Sequence, residues 1–325
     1  MVFDIIWLIV GLVLIIWGAD RLVGGASWLA LRLGMSDLVV GLTVVALGTS
    51  TPELAISVIS ASQGATQLAV GNVVGSNIAN ILLIIGVVAL VKPITVTDTV
   101  MTRQMPLMVL SSLLLLLFGN TALLDGAPAN VIYRTDGIML LFLTVLFVIY
   151  TVKSARGQVG CDTPEPESAV TVDKSTKAAI RATIFIVVGL AALVFGGDKF
   201  VDGASGLARR LGLSEAVIGL TIVAVGTSLP ELATSVVAAV KGSPGLAVGN
   251  VIGSNILNVS LVLGASATVR PLQFGDIGNF DLLTLLGASL AFWLMGWLWG
   301  HRVIKRAEGA ILLIAYIAYL TYLIL

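Results

Sequence analysis

Charge is what this 325-residue chain has least of. Asp, Glu, Lys and Arg make up 11% of it, where a soluble globular domain carries about 25%. The 18 basic and 18 acidic residues cancel, which leaves no basic excess to attract nucleic acid. Histidine occurs once, at His301 beside Arg302, Lys305 and Arg306, and cysteine once, at Cys161. A single cysteine excludes an intrachain disulfide, and so little thiol and imidazole argues against zinc or copper. The N-terminal MVFDIIWLIVGL lacks the basic n-region of a secretory signal, so no cleavage is expected there.

Apolar residues fill the space that charge leaves. They make up 58% of the chain, and the mean hydropathy is +1.06. Apolar runs near the length that crosses about 30 Å of hydrocarbon recur from end to end. The sequence therefore reads as an all-α integral membrane protein with ten transmembrane helices. They are expected near 4–22, 37–60, 68–90, 105–119 and 136–152, then 180–200, 214–240, 246–268, 281–299 and 309–325.

Two stretches are copies of each other at an offset of 178 positions. Val39–Val58 matches Val217–Val236 at 15 of 20 residues, with GTSTPELA answered by GTSLPELA. Leu68–Gly86 matches Leu246–Gly264 at 13 of 19, with VGNVVGSNIAN answered by VGNVIGSNILN. Outside these blocks Gly18-Ala19-Asp20 answers Gly196-Gly197-Asp198, and Arg32-Leu33-Gly34 answers Arg210-Leu211-Gly212. Asp136-Gly137 answers Glu308-Gly309 more loosely.

Five spans per half is an odd number, so the second half enters the membrane from the opposite side. That is an inverted repeat, with a binding site expected near the midplane where the halves meet. The expected divisions are a first repeat over 1–153, a cytoplasmic linker over 154–178 and a second repeat over 179–325. The linker, SARGQVGCDTPEPESAVTVDKSTK at its centre, has the composition of a flexible tether. Placing it inside puts 13 of the 18 Lys and Arg on the inner side. The positive-inside rule then sets both termini outside a cell membrane.

Each copy carries a carboxylate within an apolar run, Glu53 and Glu231. A charge at that depth costs about 2.5–3.5 kcal/mol on the most lenient scale and marks a functional site by default. A structural glutamate needs a basic partner, and neither run contains Lys or Arg. Thr49, Ser50 and Glu53 share one helical face, and Gly226-Thr227-Ser228-Leu229-Pro230-Glu231 repeats the arrangement. Pro52 and Pro230 remove a backbone donor and should kink their helices, freeing carbonyls. In the second block Ser76 and Asn80 are four apart, as are Ser254 and Asn258. The inventory is oxygen only, which suits Ca²⁺ and Na⁺.

Plainer roles compete at other positions. Gly71, Gly75, Gly249 and Gly253 form two GxxxG patterns whose first use is close helix packing. A buried Ser or Thr most often bonds the carbonyl a turn earlier. Asn72 and Asn250 serve equally well as helix braces or as ligands. Asp20 and Asp198 stand beside Arg21 and Lys199, which suggests local salt bridges near helix ends.

The duplicated GTSxPE and GNxxGSNxxN motifs resemble the two alpha-repeats of the sodium/calcium exchanger family, in its short prokaryotic form. The resemblance implies alternating access, with Ca²⁺ and Na⁺ competing for overlapping central sites, and no cofactor beyond the transported ions. It also implies that the first helix of each half slides against the rest. The family's ligands fall on Thr49, Ser50, Glu53, Ser76 and Asn80, and on Thr227, Ser228, Glu231, Ser254 and Asn258. Ala46 and Ala224 match positions that offer backbone carbonyls. Some relatives, potassium-dependent exchangers among them, carry Asp at the place of Asn258, so Asn here argues against K⁺ co-transport. Besides the ions and the bilayer, no protein partner is implied.

Other readings remain in view. Paired membrane carboxylates could carry protons, giving a Ca²⁺/H⁺ antiporter; the hydroxyl-rich motifs tip the balance towards Na⁺. An intramembrane enzyme using Ser50 or Ser228 would need a base, and the lone histidine sits in a loop. A passive channel does not need a site that encloses its ion. The charge bias makes Cys161 a topology reporter: a membrane-impermeant thiol reagent applied to intact cells should leave it unlabelled, and rapid labelling would reverse the orientation.

Overall fold

A computed structural model describes residues 2–126, 128–157, 175–211, 224–298 and 302–324. The helices are α1 (Val2–Leu33), α2 (Asp37–Thr49), α3 (Thr51–Gln63), α4 (Thr66–Val91), α5 (Val100–Phe118) and α6 (Arg134–Gly157). The second half gives α7 (Thr176–Arg210), a short helix at Ala224–Thr227, α8 (Leu229–Val240), α9 (Pro244–Val269), α10 (Asn279–Leu298) and α11 (Arg306–Ile324). Eight helices among the described residues are long and apolar enough to cross a membrane, and the α2–α3 pair, bent by 45°, makes a ninth candidate. The expected span over 214–240 falls partly outside the described residues. So do Cys161, His301 and most of the expected linker, although its two ends are helical, α6 running to Gly157 and α7 starting at Thr176.

Two features differ from expectation. The all-α reading is qualified by two short antiparallel ladders. Ile94–Thr95 (β1) pairs with Val303–Ile304 (β4), and Val131–Ile132 (β2) pairs with Leu272–Gln273 (β3). Both tie a connection in one half to a connection in the other. The first and sixth spans are also longer than 4–22 and 180–200. Asp20-Arg21 looks like a helix end but lies in mid-helix, and α1 stops only at Gly34, whose φ of +62° lets the chain turn out. There Met35 N bonds Ala30 O at 2.9 Å, closing a Schellman turn.

α1 and α7 lie antiparallel with backbones in contact. Gly11, Gly18 and Gly25 recur every seven residues, and Gly189, Gly196 and Gly203 repeat them 178 positions on. A Cβ at Gly11, Gly18, Gly189 or Gly203 would stand 2.5–2.7 Å from backbone atoms of the other helix. Only glycine permits that approach, which is how helices gain dispersion contact where lipid removes the hydrophobic drive. The outer faces show Ile9, Val13, Ile16, Ile180 and Val187 to the surroundings. An ion pair of Asp4 with Arg210, 2.7 Å, closes one end of the pair.

The α4 and α9 copies form the buried centre. Gly249 and Gly253 let α9 meet the α2 backbone, since a Cβ there would fall 2.5 Å from Leu38 O and 2.7 Å from Leu42 O. The packing role expected for these glycines holds in the second half. The last helix of each half then crosses to the other. Gly137 of α6 lies against Gly264 O, and Gly309 of α11 lies against Gly86 O. Both helices start alike, with Asp136 accepting from Tyr133 N at 2.8 Å and Glu308 from Lys305 N at 2.7 Å. The loose match of Asp136-Gly137 with Glu308-Gly309 is a structural equivalence.

Candidate functional site

Both GTSxPE motifs break their helices at the serine. Ser50 has φ −81° and ψ 8°, and Ser228 has φ −89° and ψ 3°, each followed by a proline in the first turn of the next helix. This is the expected kink. Ser50 N bonds Ala46 O at 3.0 Å, whereas the equivalent Ser228 N bonds Val225 O at 3.1 Å. The break leaves Glu53 and Glu231 in the first turns of α3 and α8, each 1% exposed.

The amides expected to be braces or ligands brace the carboxylate helices. Asn72 Nδ2 donates to Glu53 O at 3.3 Å and to Ser57 Oγ at 3.0 Å. Asn250 Nδ2 donates to Glu231 O and Ser235 Oγ at the same two distances. Sequence reasoning passed over Ser57 and Ser235, though each is four residues past its glutamate and identical between copies, so one face of the helix carries both.

The halves meet through side chains. Ser50 Oγ donates to Glu231 Oε1 at 3.2 Å, and Thr49 Oγ1 donates to Asn250 Oδ1 at 3.1 Å. Ordinary buried hydroxyls such as Thr43 and Thr144 bond the carbonyl one turn back; Ser50 reaches across instead, and Thr49 does both, meeting Ala46 O at 3.5 Å. Ser76 faces the Glu53 carboxylate, and Glu53 is near enough to Glu231 for their charges to interact. Thr227 is half-buried. Ser76, Asn80, Ser228, Ser254 and Asn258 are all buried. Backbone turns of the wide, i→i+5 type begin at Ala79 and Asn258, a distortion frequent at functional sites, although others run over Gly41–Val45 and Val100–Gln104.

The site is rich in acceptors and short of donors. Glu53 Oε2, Glu231 Oε2, Asn80 Oδ1 and Asn258 Oδ1 are buried without a hydrogen-bond partner, as are Ser228 Oγ and Ser254 Oγ. Leaving one such group unpaired costs about 1–3 kcal/mol, and more when it is charged. Neither glutamate has an ion pair among the described residues. Among the described residues no three His, Cys, Asp or Glu side chains gather there, and two carboxylates supply the charge. Buried oxygens left without donors suit a bare cation.

Asp20 corrects an expectation. It pairs with Lys241 at the end of α8, 2.6 Å away, rather than with Arg21, which stacks over Trp17 and Phe185. Asp198 does pair with Lys199, at 2.9 Å. A side chain projecting from mid-helix meets the neighbouring helix first, which adjacency in sequence hides.

Helices of membrane length around a paired-carboxylate, oxygen-lined centre define an integral membrane protein with a buried cation site. Residues 3–153 and 181–325 match the family model described as sodium/calcium exchanger protein. The chain belongs to the sodium/calcium exchanger family. It is 40% identical over 293 residues to the inner membrane protein YrbG of Escherichia coli strain K12, covering 89% of this chain and 87% of that one. It is 36% identical to the sodium/calcium exchanger MaX1 of Methanosarcina acetivorans, covering 97% of each. The solved structure of the sodium-calcium exchanger NCX_Mj soaked in 10 mM Na⁺ without Ca²⁺ matches it with a TM-score of 0.83 and 30% identity, over 98% of both chains.

The two braces should differ in weight. Asn250 is fully buried with three side-chain and backbone partners, while Asn72 is part-buried with two. Asn250→Leu should lower the detergent unfolding midpoint more than Asn72→Leu, by a difference of about 1–2 kcal/mol. Equal shifts would remove the Thr49–Asn250 bond from the account.

Proposed function

We propose that this chain is a secondary active antiporter that exchanges Na⁺ for Ca²⁺ by alternating access. The observation that carries this reading is the pair Glu53 and Glu231, one from each half, both buried, neither offset by a base, each with an unpartnered oxygen. Two negative charges match one Ca²⁺ or two Na⁺, so the ions compete for one site. The site draws on Thr49, Ser50, Glu53, Ser76 and Asn80, on Thr227, Ser228, Glu231, Ser254 and Asn258, and on the carbonyls of Ala46 and Ala224. The names of MaX1 and NCX_Mj support Na⁺ as the counter-ion. The abundance of neutral hydroxyl oxygen supports it too, since protons need only the carboxylates. The names of these relatives, exchangers both, support a carrier rather than an enzyme.

The proposed frame is ten transmembrane helices in two inverted five-helix repeats, 1–153 and 179–325, joined by a cytoplasmic linker, with both termini outside the cell membrane. The α1–α7 pair is its moving part. Backbone-to-backbone contact makes the two helices one body, and their exposed outer faces leave that body bounded largely by lipid. A shift of the pair would uncover the site to one side or the other while α4 and α9 hold the ligands in place.

Glu53→Gln and Glu231→Gln should each abolish Ca²⁺ uptake into proteoliposomes while the protein still elutes as a single species. Each removes half of the charge that balances a dication where solvent screening is weak. Near-normal uptake by both variants would sink the site. Comparing a Na⁺ gradient with a pH gradient separates this reading from Ca²⁺/H⁺ exchange.

Transport should also be electrogenic. The hydroxyl groups exceed what two Na⁺ require, and the family resemblance implies that a third Na⁺ takes up the spare neutral oxygens. Three Na⁺ for one Ca²⁺ moves one net charge per cycle, worth about 2.3 kcal/mol across 100 mV. An inside-negative potential should then speed Na⁺ entry against Ca²⁺ exit. Flux indifferent to a valinomycin-clamped potential would mean an electroneutral cycle.

A further inference from the structure

Asn77 lies beside the site without belonging to its ligand set, and it is fully buried. Its Nδ2 donates to Asn255 O at 3.2 Å, and its Oδ1 accepts from Asn258 Nδ2 at 3.0 Å. These bonds form a chain whose direction is fixed from one end. A backbone carbonyl can only accept, so the Asn77 atom facing Asn255 O must be the amide nitrogen. Its oxygen is thereby turned to Asn258, and the Asn258 atom facing it must be a nitrogen as well. The Asn258 oxygen is left on the other side, buried and without a protein partner.

We propose that Asn77 is a positioning and specificity-determining residue: it holds position 258 as a neutral amide with its oxygen free for the cation. The proposal rests on reading the Glu53–Glu231 centre as a Ca²⁺ site. A carboxylate at position 258 would set an acceptor against Asn77 Oδ1. Turning Asn77 over would only move that conflict to Asn255 O. The clasp therefore keeps the site at two negative charges and disfavours a third.

The clasp is one-sided. Asn255, which answers Asn77 in the second half, donates to Val251 O of its own helix at 2.8 Å, and its Oδ1 has no partner. Asn80 is therefore not held by Asn255 as Asn258 is held by Asn77. The duplicated sequence supplies an asymmetric pair of amides.

Equilibrium binding of radioactive Ca²⁺ to the full chain in detergent tests this without any gradient. Asn77→Ala should weaken the Kd about tenfold, the equivalent of about 1.4 kcal/mol for one lost hydrogen bond. Asn258→Asp should bind at least as poorly. The double variant Asn77→Ala/Asn258→Asp should bind about tenfold more tightly than Asn258→Asp alone, because the carboxylate no longer opposes an acceptor and adds charge for the dication. A merely structural Asn77 predicts the reverse, a double variant worse than either single one. That result, or an unchanged Kd for Asn77→Ala, overturns the proposal. Should Asn77→Ala fail to elute as a single species, Asn77→Ser takes its place in the same comparison. Wild-type protein that binds Ca²⁺ but does not exchange it for Na⁺ overturns the Na⁺-coupled reading alone.

Discussion

Two carboxylates held close together in an apolar interior, with no basic partner beside either, set the terms for the rest of this molecule. Burying one uncompensated charge costs more than a fold of marginal stability readily bears. Glu53 and Glu231 are therefore approached by hydroxyls, through Ser50 on Glu231 and Ser76 on Glu53. Their helices are braced from behind by Asn72 and Asn250, whose donors go to the backbone and to Ser57 and Ser235. The carboxylates are spared full neutralisation and keep oxygens for a cation. A lysine at this depth would satisfy the protein and destroy the site.

Glycine does the complementary work where helices must nest. On the α1–α7 pair it lets two backbones touch every seventh residue, and on α9 it lets α2 approach within the reach of its own carbonyls. The two contacts differ in setting. The first faces outward and is bordered by exposed apolar side chains; the second lies in the buried centre, where α6 crosses α9. Substituting either would force the helices apart, but only the second would move proposed ligands, because α2 carries Thr49 and α9 carries Ser254 and Asn258.

Much of the site was legible in the chain, because duplication reveals what composition alone does not. Glu53 and Glu231, the hydroxyls before them and the GSNxxN amides all stand at fixed offsets, and the kink follows from Pro52 and Pro230. The legible signals are local or periodic. Contacts across the halves were not legible: no spacing rule places Ser50 on Glu231 or Thr49 on Asn250, since they depend on how two kinked helices face each other. Arg21 read as the end of a span because charge usually marks one, yet α1 continues for three more turns and Asp20 reaches Lys241 on another helix. Asn77 was hidden differently. Its residue type is repeated at Asn255, so the sequence presents the two as equals.

They are not equals, and the difference bears on mechanism. Asn77 spans the interface while Asn255 folds back on its own helix. Asp20 is bound by Lys241, whereas the position equivalent to Lys241 in the first half is Gln63. The halves match closely only in the two signature blocks, so unlike neighbours can give like residues unlike partners. For the amides the sequence permits the roles to be traded, because both positions are Asn. For the ion pair it does not, because Gln63 has no charge to offer Asp198. Matched positions in the two halves are therefore unlike in electrostatics, Asp20 being held by Lys241 at the end of α8 and Asp198 by Lys199 of its own helix.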